Sequence, residues 1–209
     1  MRTDTQRRSI ALFYPIFAGG GAEAVALWTA YALQDTYDVT LFTALDMDLG
    51  DLNSMYATEV SPSRVKIKAQ FSGFFCEFLR WIRTKKNIFS KTIVHYSIRW
   101  FKSQSRSYDL CFSAYNAIDF GRLGLQYVHW TYVLRHPGFF WISGFSEKKA
   151  FSNISVANSN YTATEVKKVF GQEADVLYPP VVHDATIEEV PWEQREPYSF
   201  VCSGRIVKA

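Results

Sequence analysis

Between residues 10 and 43 the sequence passes from one short apolar run to another through a glycine turn and an alanine-rich stretch, and few folds accommodate that order. Residues 10–14 (IALFY) are continuously apolar and stopped by Pro15. A half-exposed strand would alternate, so this pattern predicts a parallel strand buried on both faces. Gly19, Gly20 and Gly21 lead into residues 22–33, where alanines accompany Val25, Leu27, Trp28 and Tyr31, a helical composition. Residues 39–43 (VTLFT) predict the next strand. Strand, loop, helix and strand in that span are the unit of a parallel sheet covered by helices. The fold class expected is therefore α/β, a Rossmann-like, mostly parallel sheet with helices on both faces.

Further along, a loop rich in Asp, Asn and Ser runs through residue 63, and 65–69 reads as another strand. Residues 71–106 read as helical in two pieces, broken near Lys86 and Asn87. Strands are expected at 108–113, 125–130, 154–157 and 176–178, the last ended by Pro179 and Pro180. Thr162 and Glu165 have capping-box spacing and predict a helix from there to Phe170, with Gly171 as its left-handed stop. The organisation expected is one domain over 1–182, an acidic linker over 183–197 with Pro191 and Pro197, and at 198–209 the first strand of a second domain of which nothing more follows.

Composition excludes several classes. With 48 % apolar residues, 17 % aromatic and 21 % charged, the 209-residue chain can bury a sizeable core and is not a disordered one. Three cysteines lie far apart and four histidines are scattered, so neither a disulfide framework nor a metal cluster is expected, and a reducing, cytoplasmic setting fits. Arg7 and Arg8, the apolar run after them and Ala22-Glu23-Ala24 imitate a secretory leader. Pro15 and the three glycines argue against it, and cleavage would remove the first strand. No run approaches the roughly 20 apolar residues of a membrane-spanning helix.

The net charge of +3 is unevenly placed. Residues 71–106 carry eight Lys/Arg against the single acid Glu77, a net +7. Nine aromatics are interleaved with them. Phe74, Phe78, Trp81 and Ile82 share one helical face, which predicts either a helix packed on the core with a basic outer side or an interfacial helix on anionic lipid. In the second case Arg80, Arg83, Lys85 and Lys86 are the membrane-surface candidates. No motif supports nucleic-acid binding by this segment.

The chemistry-bearing residues begin with Ala18-Gly19-Gly20-Gly21-Ala22-Glu23. Glycines between a strand and a helix let a ligand approach the backbone, and free amides at a helix start favour an anion. A tight turn without a ligand is the plainer alternative. The spacing Gly19-x-Gly21-x-x-Ala24 loosely matches a dinucleotide fingerprint, but four residues separate it from the strand and Asp46 comes late for the ribose.

Five segments in order, spanning 10–207, resemble family 4 glycosyltransferases, especially the mannosyltransferases that extend lipid-linked oligosaccharides. These are residues 11–34, Tyr127-Val128-His129, Asn158-Ser159 before a helix, Tyr178-Pro179-Pro180-Val181 and Gly204-Arg205. The resemblance implies the N-terminal, acceptor-side domain of the GT-B architecture and retaining hexosyl transfer from a nucleotide sugar, GDP-mannose foremost, to a glycan or lipid-linked acceptor. It implies no metal and no cofactor. Gly19, Gly20, Gly21 and Glu23 would border the cleft, His129 would touch the transferred sugar, and Arg205 would neutralise the departing diphosphate. The family's diphosphate lysine, about five positions after that arginine, and its acidic E-x7-E motif have no counterpart in the chain. The expectation is a fragment that does not turn over alone. Two other readings stay open: a non-catalytic module that binds a glycan or a partner, and a dinucleotide-binding oxidoreductase domain.

Overall fold

The computed structural model describes residues 7–85, 87–131, 137–181 and 191–195, and of 80–85, 87, 88 and 137 the backbone alone. Seven strands form one all-parallel sheet: β1 (Ser9–Phe13), β2 (Asp38–Leu45), β3 (Val65–Phe71), β4 (Leu110–Ser113), β5 (Leu125–Val128), β6 (Ile154–Ala157) and β7 (Ala174–Val176). Their order is β3-β2-β1-β4-β5-β6-β7. The helices are α1 (Gly21–Leu33), α2 (Leu49–Tyr56), α3 (Gly73–Lys85), α4 (Asn87–Gln104), α5 (Phe140–Ser143), α6 (Glu147–Phe151) and α7 (Asn160–Phe170).

The apolar run of β1 is explained by its two faces. Ile10, Leu12 and Tyr14 join a cluster with Val25, Leu27 and Ala30 of α1, while Ala11 and Phe13 face Val94, Ile98 and Phe101 of α4. Pro15 ends the ladder, its carbonyl still accepting from the Ala44 amide and the Thr43 hydroxyl. A third, smaller cluster joins Ala44 and Leu45 to Cys76 of α3 and Ile93 of α4.

Several elements differ from the sequence expectation. The Asp/Asn/Ser segment contains α2, begun by the Asp48 side chain accepting from the Asp51 amide. Its Leu52 is buried and Leu49 and Tyr56 pack against the α1 cluster, one apolar residue per turn being enough where α1 covers it. On α3 the face carrying Phe74 and Phe78, inward in the core-packed reading, is turned out. Phe74 is 89 % exposed and Phe78 45 %, whereas Cys76 is buried and Leu79 packs beside it. The helix carries more apolar residues than one stripe holds, and the narrow surface offered by Ala44, Leu45 and Ile93 accepts the smaller pair. The cap of α7 is Ser159, not Thr162, with the Ser159 hydroxyl accepting from the Thr162 amide and Glu165 pairing with Lys168. Starting at Ser159 adds a turn, and Gly171, at φ +72°, stops the helix as expected.

The direction of winding decides which face each helix covers. Steps from β1 to β2 to β3 place α1 and α2 on one face; steps from β3 to β4 and from β5 through β7 run the other way and place their helices on the opposite face. Between β4 and β5 there is only a loop, held by the buried carboxylate of Asp119, which accepts from Lys102 Nζ and the amides of Gly121 and Ser146. No helix among the described residues is long and apolar enough to cross a membrane.

Candidate functional site

The winding reverses between β1 and β4, so chain segments leaving those strands diverge and open a crevice at the carboxyl edge of the sheet. In open α/β sheets this is where ligands are received. The glycine loop follows β1 and His129 follows β5, so both sit on that edge, with the end of β4 between them. Tyr14 and Tyr115, just beyond β1 and β4, meet edge to face at 5.7 Å.

The glycine loop is tied from within. The carboxylate of Glu23, buried in the first turn of α1, accepts from the amides of Ala18 (2.8 Å) and Gly19 (2.9 Å) and from the Tyr56 hydroxyl (2.7 Å). That hydroxyl in turn accepts from the Gly20 amide at 3.0 Å. Three amides expected to face a ligand are thus already paired, and a buried carboxylate lies behind them. What remains at the start of α1 is the backbone of Gly21 and Ala22, with Gly20 as an extended cap lacking any side-chain hydrogen bond. Gly19, at φ +87°, needs glycine for its left-handed backbone. At Gly21 an added Cβ meets no atom within 4 Å, so that side of the loop is open. The loop therefore shapes the notch more than it cradles an anion.

His129 is held by both its backbone and its ring. The Asn116 side-chain oxygen accepts from the amides of His129 and Trp130, each at 2.9 Å, which ends the β5 ladder at Val128 instead of at residue 130. The ring Nε2–H donates to the Ala114 carbonyl at 2.9 Å, and the Tyr127 ring lies 4.9 Å away. A carbonyl only accepts, so Nε2 carries the proton and neutral His129 presents Nδ1 as an acceptor. Burial lowers the imidazole pKa, opposed in part by the Ala114 hydrogen bond, so the neutral form dominates near pH 7. An acceptor nitrogen of this kind can take a proton from a hydroxyl or orient one.

Arg205 and Lys86 lie outside the described residues, as do the side chains of Arg80, Arg83 and Lys85. Asn116, which places His129, was not anticipated; it stands in an irregular loop whose sequence carries no periodic signal. Among the described residues no group of three or more His, Cys, Asp or Glu is placed to hold a metal.

No protein-family model matches the sequence, and no curated protein matches it. Among solved structures, the chain is similar to Anabaena Alr3699/HepE in complex with UDP and glucose, at 12 % identity and a TM-score of 0.47. The match covers 83 % of this chain and 45 % of that one, so this chain spans less than half the length of the structure it matches.

Proposed function

We propose that the chain supplies the acceptor-side wall of a nucleotide-sugar glycosyltransferase of the two-domain GT-B type, retaining and independent of metal, with GDP-mannose as donor. What supports this reading is that an open glycine turn after β1 and a neutral, oriented histidine after β5 lie on the same carboxyl edge of an all-parallel sheet, on either side of β4. In such a transfer the anomeric carbon takes on oxocarbenium character while negative charge builds on the departing diphosphate. His129 Nδ1 would orient a hydroxyl of the transferred sugar, and Gly21 would let sugar or acceptor approach the backbone. With Glu23 paired behind the loop, charge on the diphosphate would fall to Arg205 and to groups of an opposite wall. Fixed donors at such a charge are each worth roughly 100- to 1,000-fold in rate.

The same reading includes peripheral contact with an anionic membrane through α3, where a lipid-linked acceptor would lie. The outward Phe74, Phe75 and Phe78 beside a basic segment support it.

Amide shifts test the central claim. Titration with GDP-mannose or UDP-glucose should move the resonances of Gly19, Gly20, Gly21 and His129, and Gly21→Ala should weaken that response while leaving the fold intact. Saturable NADH binding at the notch, with no response to either sugar nucleotide, would hand the site to the oxidoreductase reading.

A further inference from the structure

Beyond His129, the end of β5 and the first turns of α7 enclose a separate pocket of about 330 Å³, lined by His129, Trp130, Thr131, Tyr161, Thr162 and Glu165. Its size falls at the lower end of small-ligand sites. Two of its walls are aromatic and largely uncovered: Trp130 is 58 % exposed and Tyr161 75 %. Large rings are ordinarily the most valuable surface to bury, so a pair of them flanking a concavity marks a place where something else stacks.

The polar groups between the rings define the ligand's chemistry. Thr162 Oγ1 lies 3.1 Å from the Ser159 hydroxyl, whose one proton also faces Asn158 Oδ1 at 3.2 Å, so the threonine hydroxyl is fixed in the pocket wall as a polar group. Glu165 gives one carboxylate oxygen to Lys168 and keeps the other as an acceptor. His129 adds a neutral ring. No Lys or Arg lines the pocket, so a phosphate entering it would meet a carboxylate without a lining cation. A purely apolar ligand would strand the hydroxyls and the carboxylate. The group that satisfies all of them is an uncharged polyol with one apolar face, its hydroxyls on Glu165 and the threonines and its C–H face on an aromatic ring.

We infer that this pocket is a pyranose subsite, holding a sugar residue of the acceptor glycan beside His129. The word acceptor rests on the proposed function; the recognition of a pyranose does not. Trp130 is the stacking platform and Glu165 the hydroxyl acceptor, both specificity-determining.

Titration of the intact chain with methyl α-mannopyranoside and with a linear mannose oligosaccharide, followed by the Trp130 indole and the Tyr161 and Thr162 amides, tests it. Saturable shifts confined to these groups are expected, with the dissociation constant raised at least about tenfold by Trp130→Ala and by Glu165→Gln. Trp141→Ala, which removes a still more exposed indole that does not line the pocket, should change nothing. Because Trp130 lies on the surface, its removal should leave circular dichroism and the unfolding midpoint unaltered. Absence of saturable shifts with any of the sugars, unchanged affinity in Trp130→Ala, or displacement of the sugar by guanosine or uridine would overturn the subsite. If the sugars fill the pocket while sugar nucleotides leave Gly21 and His129 unmoved, the transferase reading fails and the subsite survives as that of a glycan-binding module. The opposite pair of results sinks the subsite alone.

Discussion

The Glu23 carboxylate gathers two backbone amides and a phenol, and the phenol reaches back to a third amide of the same loop. Tyr56→Phe would leave the Gly20 amide and one carboxylate lone pair without their partner in a part-buried place. A cost of about 1–2 kcal/mol is expected, read as a lower urea midpoint at unchanged slope; an unaltered midpoint would show that water replaces the phenol freely. His129 gives a pH signature. Its pKa in the fold lies below the free imidazole value, chiefly through burial, so the unfolded chain takes up a proton first as pH falls. Stability is then independent of this residue well above about pH 6.5, declines as pH drops through that value, and levels once the lowered folded pKa is passed. Unfolding midpoints measured from pH 8 to pH 5 should fall more steeply for the wild type than for His129→Gln. Parallel curves would mean that the imidazole titrates alike in both states.

Elements whose two faces are buried announced themselves, and those whose pairing is decided by neighbours did not. β1 and β2 could be read because helices on both sides demand unbroken apolar runs, and the glycine turn between β1 and α1 came with them, whereas His129 was singled out by resemblance alone. α2 is eight residues long with a polar composition, and its reason for forming is the α1 surface above it, which no local pattern encodes. The outward turn of α3 was hidden for a related reason, since Phe74 and Cys76 both lie on plausible faces and only the width of the underlying cluster chooses. That choice has a measurable consequence. Phe74→Ala, Phe75→Ala and Phe78→Ala combined should cost little stability yet abolish sedimentation with vesicles rich in phosphatidylserine, whereas equal binding to neutral vesicles would remove the electrostatic part of the claim. The start of β5 makes the opposite case. A Cβ on Gly124 would stand 2.6 Å from the Phe120 ring and 2.9 Å from the Cys111 carbonyl, both deep in the core. Gly124→Ala should therefore cost about 1–3 kcal/mol through overpacking, visible as a lower melting temperature. No change would place the loop before β5 farther from that ring.

Across the whole molecule the winding leaves one consequence unbalanced. Among the described residues, the helices over β5, β6 and β7 belong to the face that α4 also covers, while on the other face α1 alone borders those strands. An apolar groove of about 520 Å³ results, with Trp28 and Leu33 on its α1 side, Leu125, Tyr127 and Val156 as its floor and Leu177 and Tyr178 at its rim. All-parallel sheets are otherwise found covered on both sides, and among the described residues this face of β5 and β6 lacks that cover. An apolar dye such as anilinonaphthalene sulfonate should bind the natively folded chain there. The enhanced fluorescence should persist through the range where the protein still unfolds cooperatively, which separates it from binding to a loosened state. Trp28→Ala and Val156→Asp should each reduce it severalfold, while the triple α3 variant should leave the groove component in place. If neither groove substitution alters dye binding, another part of the chain closes over the strands in solution, and protection of the Leu125 and Val156 amides from hydrogen exchange would then exceed what the open face permits.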